Sequence, residues 1–237
     1  MKPLEFIALD NYRYTMDAID RVEQLADFKI CCASESAYHP SLWSFLDEMD
    51  VRAEWWHPQQ GDVVCDVGAD FGSYTLPALA AGASVIAWSP AFKTGESFEA
   101  DVLLRSMREN GFGCALFKVG LWSRRGFLRA TDWSQLAEFS VSEPDGEIVF
   151  GVETLDSYEL APQWLKIDAE GAELHILQGG EQTIRTSKPR VLLEHHLHID
   201  PDCRAKCTAF LESLGVGYKS DGYRPHGAIA HEFFTCV

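Results

Sequence analysis

Short apolar runs bounded by turn residues recur along this chain, and most are followed by a segment whose apolar groups are spaced for a helix. Asp62-Val63-Val64-Cys65-Asp66-Val67-Gly68, Ala83 to Trp88, Cys114 to Leu121, Trp164 to Asp168 and Arg190 to Leu197 are the runs. Their continuous apolar character suits strands buried on both faces. Parallel neighbours need a crossover, usually a helix, so the alternation predicts an α/β fold with a mostly parallel sheet covered on both faces. Helices are expected after Gly72 and over Glu96 to Asn110, Glu173 to Thr186 and Cys203 to Leu214. Val216 to Lys219 and His231 to Val237 are expected to close one edge as a hairpin. Turn signals at Arg125-Gly126 and Glu143-Pro144-Asp145-Gly146 predict a hairpin or irregular insertion between Trp122 and Phe150.

Upstream, Asp17 to Leu25 and Leu42 to Leu46 carry apolar groups at helical intervals, and His39-Pro40-Ser41 reads as a helix start. A chain of 237 residues suits one large domain with an extension. Residues 1–58 are therefore read as a helical extension or cap, and 59–237 as the main domain. Lys and Arg number 20 against 36 Asp and Glu, a net charge of −16 that repels polyphosphate and anionic lipid. Nucleic acid and membranes are not expected partners. No apolar run approaches the roughly 20 residues of a membrane span. Met1-Lys2-Pro3-Leu4-Glu5 lacks a signal-peptide core, so a cytoplasmic location is expected. The 7 cysteines are an odd set, with Cys65 and Cys114 inside apolar runs, which fits reduced thiols. Cys203 and Cys207 lie one helical turn apart, downstream of His195, His196 and His198. Their spacing lacks the paired knuckles of established zinc sites, and a structural metal is not expected.

The junction Asp66-Val67-Gly68-Ala69-Asp70-Phe71-Gly72 lies where an open parallel sheet binds ligands, at the end of a strand. Gly68 and Gly72 permit a tight turn and close approach of a ligand, and the following helix offers N–H groups to a carboxylate. Asp66 accepts from an ammonium group. These features suit an amino-acid-like ligand end, whereas Asp66 and Asp70 would repel a pyrophosphate. A glycine pair by itself also fits a plain strand-to-helix turn.

A second block, Lys166-Ile167-Asp168-Ala169-Glu170-Gly171-Ala172-Glu173, continues into Leu174-His175-Ile176-Leu177-Gln178-Gly179-Gly180. With it the chain resembles the FkbM family of S-adenosylmethionine-dependent methyltransferases. Gly61 to Gly72 is similar to the family's first glycine motif, Thr154-Leu155-Asp156 to its Thr-Leu-Asp step, and Pro189 to His196 to its Pro-to-Glu-x-His strand. The resemblance implies a class I methyltransferase (Rossmann-like) fold, with a seven-stranded sheet holding one antiparallel strand. It implies an O-methyltransferase that uses S-adenosyl-L-methionine on a hydroxyl of a small metabolite, natural product or sugar. Asp66, Gly68, Ala69, Asp70 and Gly72 would line the methionine side of the cofactor, and Ser89-Pro90 the ribose side. The family's second strand ends in Glu-Pro, whose Glu accepts from both ribose hydroxyls. Serine keeps one acceptor but loses the charged bidentate geometry, a change of about 1–3 kcal/mol unless another carboxylate such as Glu96 substitutes. A non-catalytic methyltransferase-like binding domain, or transfer to nitrogen or another use of the same cofactor, are the alternative readings.

Methyl transfer to oxygen needs a hydroxyl in line with the sulfonium methyl and a base for its proton. If the fourth and fifth strands are neighbours, Asp168, Glu170, Glu194 and His196 converge at their ends. Glu194 and His196 share a face because strand side chains alternate. His196, with an ordinary pKa of about 6.5, is the first choice for the base. The same groups suit a hard divalent cation, but no metal ligand is assigned. Acids such as Glu173 also serve simply to complement a helix N-terminus. Tyr12, Tyr14, Tyr38, Trp43, Trp55, Trp56 and Trp133 are read as packing or as walls of an acceptor pocket.

Overall fold

The structure of the chain is a computed structural model that describes residues 8–9, 11–12, 21–25, 27–32, 45–46, 48–91, 98–129, 138–140 and 149–237. Its centre is a seven-stranded sheet. The strands are β1 (Val63–Val67), β2 (Ser84–Trp88), β3 (Ala115–Phe117), β4 (Trp164–Ile167), β5 (Arg190–His196), β6 (Tyr218–His226) and β7 (Ile229–Cys236). They lie in the order β6-β7-β5-β4-β1-β2-β3. β1 to β5 run parallel, and β7 runs antiparallel to both β5 and β6. β1 pairs with β2 on one side and with β4 on the other. Chain order therefore reverses there, which opens a crevice at the strands' C-terminal ends.

Alternation along the strands assigns the two covering layers. Val64, Val85, Ala87 and Leu192 pack with α1 (Met49–Trp55), α2 (Thr75–Ala80) and α3 (Phe98–Asn110), through Val51, Leu76, Leu79 and Leu103. Cys65, Val67, Leu165, Val191 and Leu193 face the other way. They pack on α4 (Glu173–Gly179), α5 (Glu181–Ser187) and α6 (Cys203–Ser213), through Ile176, Leu177, Ile184 and Leu211. A second, four-stranded sheet is built from Gly120–Leu121, Gly126–Arg129, Glu138–Ser140 and Val149–Glu153, including the hairpin expected after Trp122. No helix among the described residues is long and apolar enough to cross a membrane.

Three sequence expectations need correction. Arg21–Gln24 is not helical but a strand, paired antiparallel with Lys29–Cys32. The hairpin docks on α3, where the Lys29 N–H donates to Asn110 Oδ1 at 2.7 Å and the Cys31 N–H to Ser106 Oγ at 2.9 Å. Such tertiary contacts outweigh a weak local helical preference. Cys114 to Leu121 is two strands, because Gly120 leaves the central sheet to lie under Phe150 and Val152, where a Cβ would come within 3.0 Å of both side chains, closer than ordinary contact. Glu173 to Thr186 is two helices. A Cβ on Gly179 would lie 2.1 Å from the Trp122 carbonyl oxygen, so the chain turns at this glycine pair against the second sheet. Trp55 and Trp56 are buried in the core. Glu96, Trp133, Tyr14, Tyr38 and Trp43 lie outside the described residues.

Candidate active site

The crevice begins where β1 ends. The Gly68 and Ala69 N–H groups both donate to the Trp88 carbonyl, at 3.0 and 2.9 Å, which ties the turn to the end of β2. Gly68 has φ +79°, and a Cβ there would lie 1.6 Å from the Asp168 carbonyl oxygen. This glycine therefore makes room for the backbone just past β4, not for a ligand. Gly72, at φ +93°, likewise makes room for Leu103 and Leu76. Asp70 holds a left-handed backbone at φ 46°. Burial, then the charge of nearby Glu99 in the first turn of α3, pushes its pKa well above the usual carboxylate range. Ala69 and Ser89 are buried, and Pro90 is half-buried.

Asp66 is the informative residue at this end. It is buried, and its Oδ2 accepts from Thr75 Oγ1 at 2.6 Å. Its Oδ1 is buried with no partner. An orphaned carboxylate oxygen is costly, and a donor supplied by a ligand removes that cost. Burial, partly offset by Lys166 and Thr75, raises its pKa.

Beside the turn, β4 and β5 bring together the acids expected from sequence. His196 is buried at their centre. Its Nδ1 lies 2.8 Å from Glu173 Oε1, and its Nε2 lies 3.2 Å from Glu170, 3.5 Å from Glu194 and 3.7 Å from Asp168. Burial alone would lower its pKa. Hydrogen bonds to Glu170 and Glu173 and the charge of Asp168 prevail, raising it to about 11. The imidazole is thus a cation, and the ordinary value of about 6.5 does not apply. Lys166, 1% exposed, reaches Asp168 Oδ2 at 3.0 Å and lies over the Tyr74 ring, 4.5 Å from its centroid. Burial and the Glu194 carboxylate raise Asp168 to about 7, against the pull of Lys166 and His196.

Sequence reasoning missed three members of this network: Glu48, Tyr74 and His231. Antiparallel pairing sets His231 opposite Glu194, and His231 Nε2 lies 3.1 Å from Glu194 Oε2 and 3.5 Å from Glu48 Oε2. The Tyr74 hydroxyl donates to the same Glu48 oxygen. The alternation of Glu194 and His196 was a usable signal, but their partner on β7 depends on a register no motif states. Glu173, read as a helix-terminal acid, is fully buried and binds His196. It also accepts the Gly171 N–H at 2.9 Å. Asp156, of the Thr-Leu-Asp step, accepts the Thr183 and Gln182 N–H groups at 2.7 and 3.0 Å, and so caps α5. Asp168, Glu194 and His196, and separately Glu48, Glu194 and His231, each offer ligand atoms within 4.8 Å. A hard cation at either place would have to coexist with Lys166 and the two imidazoles.

The sheet order with its antiparallel β7, and an acidic residue, Asp66, one position before the end of β1 beside the chain reversal, define the class I methyltransferase architecture. The model of the methyltransferase FkbM domain matches residues 66–224, and the chain belongs to this family. Among solved structures the chain is similar to methyltransferase FkbM from Methylobacillus flagellatus, with 18% identity and a TM-score of 0.56 over 81% of this chain and 53% of that one. It spans about half the length of that protein. It is also similar to precorrin-6y C5,15-methyltransferase from Geobacter metallireducens (12% identity, TM-score 0.50, 81% and 89% covered). A third likeness is to the Pyrococcus abyssi tRNA (uracil-54, C5)-methyltransferase, solved with S-adenosyl-L-homocysteine (12% identity, TM-score 0.51, 92% and 44% covered). At these identities the likeness is one of fold. No curated protein matches the chain.

Proposed function

We propose that the chain is an S-adenosylmethionine-dependent O-methyltransferase acting on a hydroxyl of a small molecule. The observation that carries this reading is the contiguity of two features: the turn at Gly68 rests on the Asp168 backbone and Asp66 pairs in register with Lys166, so the unpaired Asp66 oxygen and the acid cluster lie side by side at the strands' C-terminal ends. S-adenosylmethionine, when bound, supplies an electrophilic methyl group on a sulfonium. Asp66 Oδ1 suits its ammonium group, the Gly68-to-Gly72 turn borders its methionine end, and Ser89 beside Pro90 has one hydroxyl for the ribose.

Asp168 is the proton acceptor in this reading. Its pKa of about 7 leaves it largely ionised just above neutrality, yet able to hold a proton. Lys166 grips Oδ2, which leaves Oδ1 on the side of His196. His196 faces carboxylates through both nitrogens, so it acts as a fixed cation that orients Asp168 and Glu194. Glu170, largely exposed at the rim with a left-handed backbone, holds the imidazole from outside. A net charge of −16 favours a small acceptor over a polyphosphate one.

The test separates binding from chemistry. With hydroxylated acceptors, mass spectrometry is expected to find the methyl on oxygen. Asp168→Asn is expected to lower kcat about 100-fold or more while cofactor affinity stays within about threefold. An Asp168→Asn enzyme with native kcat, or a methyl found on nitrogen or carbon, would contradict the assignment.

A further inference from the structure

Neighbouring residues of β5 point to opposite faces, so His195 faces away from Glu194 and His196, toward α6. There it meets Cys203 and Cys207. Cys203 Sγ lies 3.8 Å from His195 Nδ1 and 3.9 Å from Cys207 Sγ, and one ligand atom from each of the three residues lies within 4.8 Å of the others. All three residues are buried. Zinc bonds of about 2.3 Å to sulfur and about 2.0 Å to nitrogen, at a tetrahedral angle, separate two sulfurs by about 3.8 Å and sulfur from nitrogen by about 3.5 Å. The separations of 3.8 and 3.9 Å match that frame with little movement.

The surroundings match as well. His195 Nε2 lies 3.0 Å from Glu232 Oε2, and that carboxylate is fully buried. Arg204 donates to both of its oxygens, at 3.1 and 2.9 Å, and Ser220 Oγ adds a third bond at 2.6 Å. A carboxylate so fixed assigns the proton to Nε2 and leaves the Nδ1 lone pair aimed at the thiols. This is the arrangement that orients imidazole ligands in metal sites. Buried thiols alone are ordinary small hydrophobes, and an apolar neighbour would serve them as well. A histidine whose far nitrogen is held by a buried carboxylate, and whose near nitrogen faces two sulfurs, is built for more than filling space.

We propose that His195 Nδ1, Cys203 Sγ and Cys207 Sγ bind one zinc ion in a closed structural site that staples α6 to β5. Glu173 Oε2 lies 3.5 Å from Cys203 Sγ, beside the three ligands. Thiolates prefer a soft or borderline ion such as zinc to magnesium or calcium. The three ligands lie on the α6 face of β5, and the role of the ion is to hold in place α6 and Glu173, whose other oxygen binds His196. Linear spacing concealed the site because one ligand comes from a strand and two from the next helix.

The experiment uses the full chain, purified under reducing conditions without a metal-chelating resin. Elemental analysis is expected to find about one zinc per chain, retained on dialysis. Replacing it with cobalt(II) is expected to give a thiolate-to-metal charge-transfer band and the intense visible bands of a tetrahedral site. Cys207→Ser and His195→Gln are expected to lose the metal, whereas Asp168→Asn, in the crevice, retains it. If the first two variants fail to fold, the native protein still decides: its thiols at 203 and 207 should resist alkylation until a strong chelator is added. Native protein with no zinc above a zinc-free control after reconstitution, no thiolate band with cobalt, or equal alkylation with and without chelator would overturn the proposal. None of these readouts depends on methyl transfer.

Discussion

Replacing Lys166 with methionine keeps the bulk of the side chain but removes the buried ammonium beside the acid cluster. Lys166 is 1% exposed and 3.0 Å from Asp168 Oδ2. Burial opposes its charge, but Asp168, Glu48, Glu194 and Asp66 outweigh burial and raise its pKa. Removing one partner of a buried ion pair costs about 3–5 kcal/mol, because the other charge stays behind. For a domain of this size about 1 kcal/mol moves Tm by about 2–4 °C, so the expected drop is about 6–20 °C. The pH dependence has a definite sign. Without the lysine the carboxylates protonate more readily, and a protonated carboxyl no longer needs a cation. The loss should therefore be larger at pH 8 than at pH 6, on either side of the value of about 7 at which Asp168 titrates. Lys166→Met combined with Asp168→Asn should recover a large part of the stability, the coupling expected of groups in contact. The assay is thermal unfolding by circular dichroism of the native chain, both single variants and the double variant at the two pH values. A Lys166→Met protein within about 2 °C of native at pH 8, or strictly additive variants, would refute the reasoning.

Further outcomes follow from the same geometry. Gly68→Ala places a Cβ 1.6 Å from the Asp168 carbonyl oxygen at φ +79°, and should cost about 3 kcal/mol or more in a denaturant titration; a neutral effect would contradict the observed turn. Glu48 is lowered from 4.5 to about 2, since His231, Lys166 and Tyr74 overcome burial, and His231 is raised from 6.5 to about 9 by Glu194 and Glu48 in the same way. The Glu48 contribution is present above pH 4.5 and is lost as pH falls toward 2. The His231 contribution is present below pH 6.5 and is lost as pH rises through 9. The stability difference between native and Glu48→Gln should therefore peak between pH 4.5 and 6.5, and a flat difference from pH 4 to 9 would contradict the pairing. Ser89→Glu restores a charged bidentate acceptor at the end of β2 and should tighten S-adenosylhomocysteine binding about 5- to 100-fold by calorimetry; unchanged or weaker binding would remove Ser89 from the ribose side.

What the sequence revealed and what it hid divides along a physical line. Short apolar runs separated by helical segments are local signals, and β1, β2, β4 and β5 fall within one or two residues of expectation. Asp168, Glu194 and His196 were legible because adjacent parallel strands end at one edge and side chains alternate along them. The N-terminal hairpin was hidden because Val22 and Leu25 fit a helical spacing, while the docking of Lys29 and Cys31 on Asn110 and Ser106 depends on residues far along the chain. Glu48 and His231 were hidden for the same reason, being joined to the cluster only by the sheet register and by the placement of α1. The raised pKa of His196 was also out of reach, since the carboxylates of Glu170, Glu173 and Asp168 set it and no motif brings them together.

The most direct measurement is calorimetric titration of the native chain with S-adenosylmethionine and with S-adenosylhomocysteine, repeated on Asp66→Ala. Saturable one-to-one binding by the native protein, weakened about 10- to 100-fold in Asp66→Ala, is the expected result, from the loss of a charge-assisted hydrogen bond to a buried oxygen that otherwise has no partner. Native protein that binds neither compound, or an Asp66→Ala variant that binds both as tightly as native, would contradict the crevice as the cofactor site.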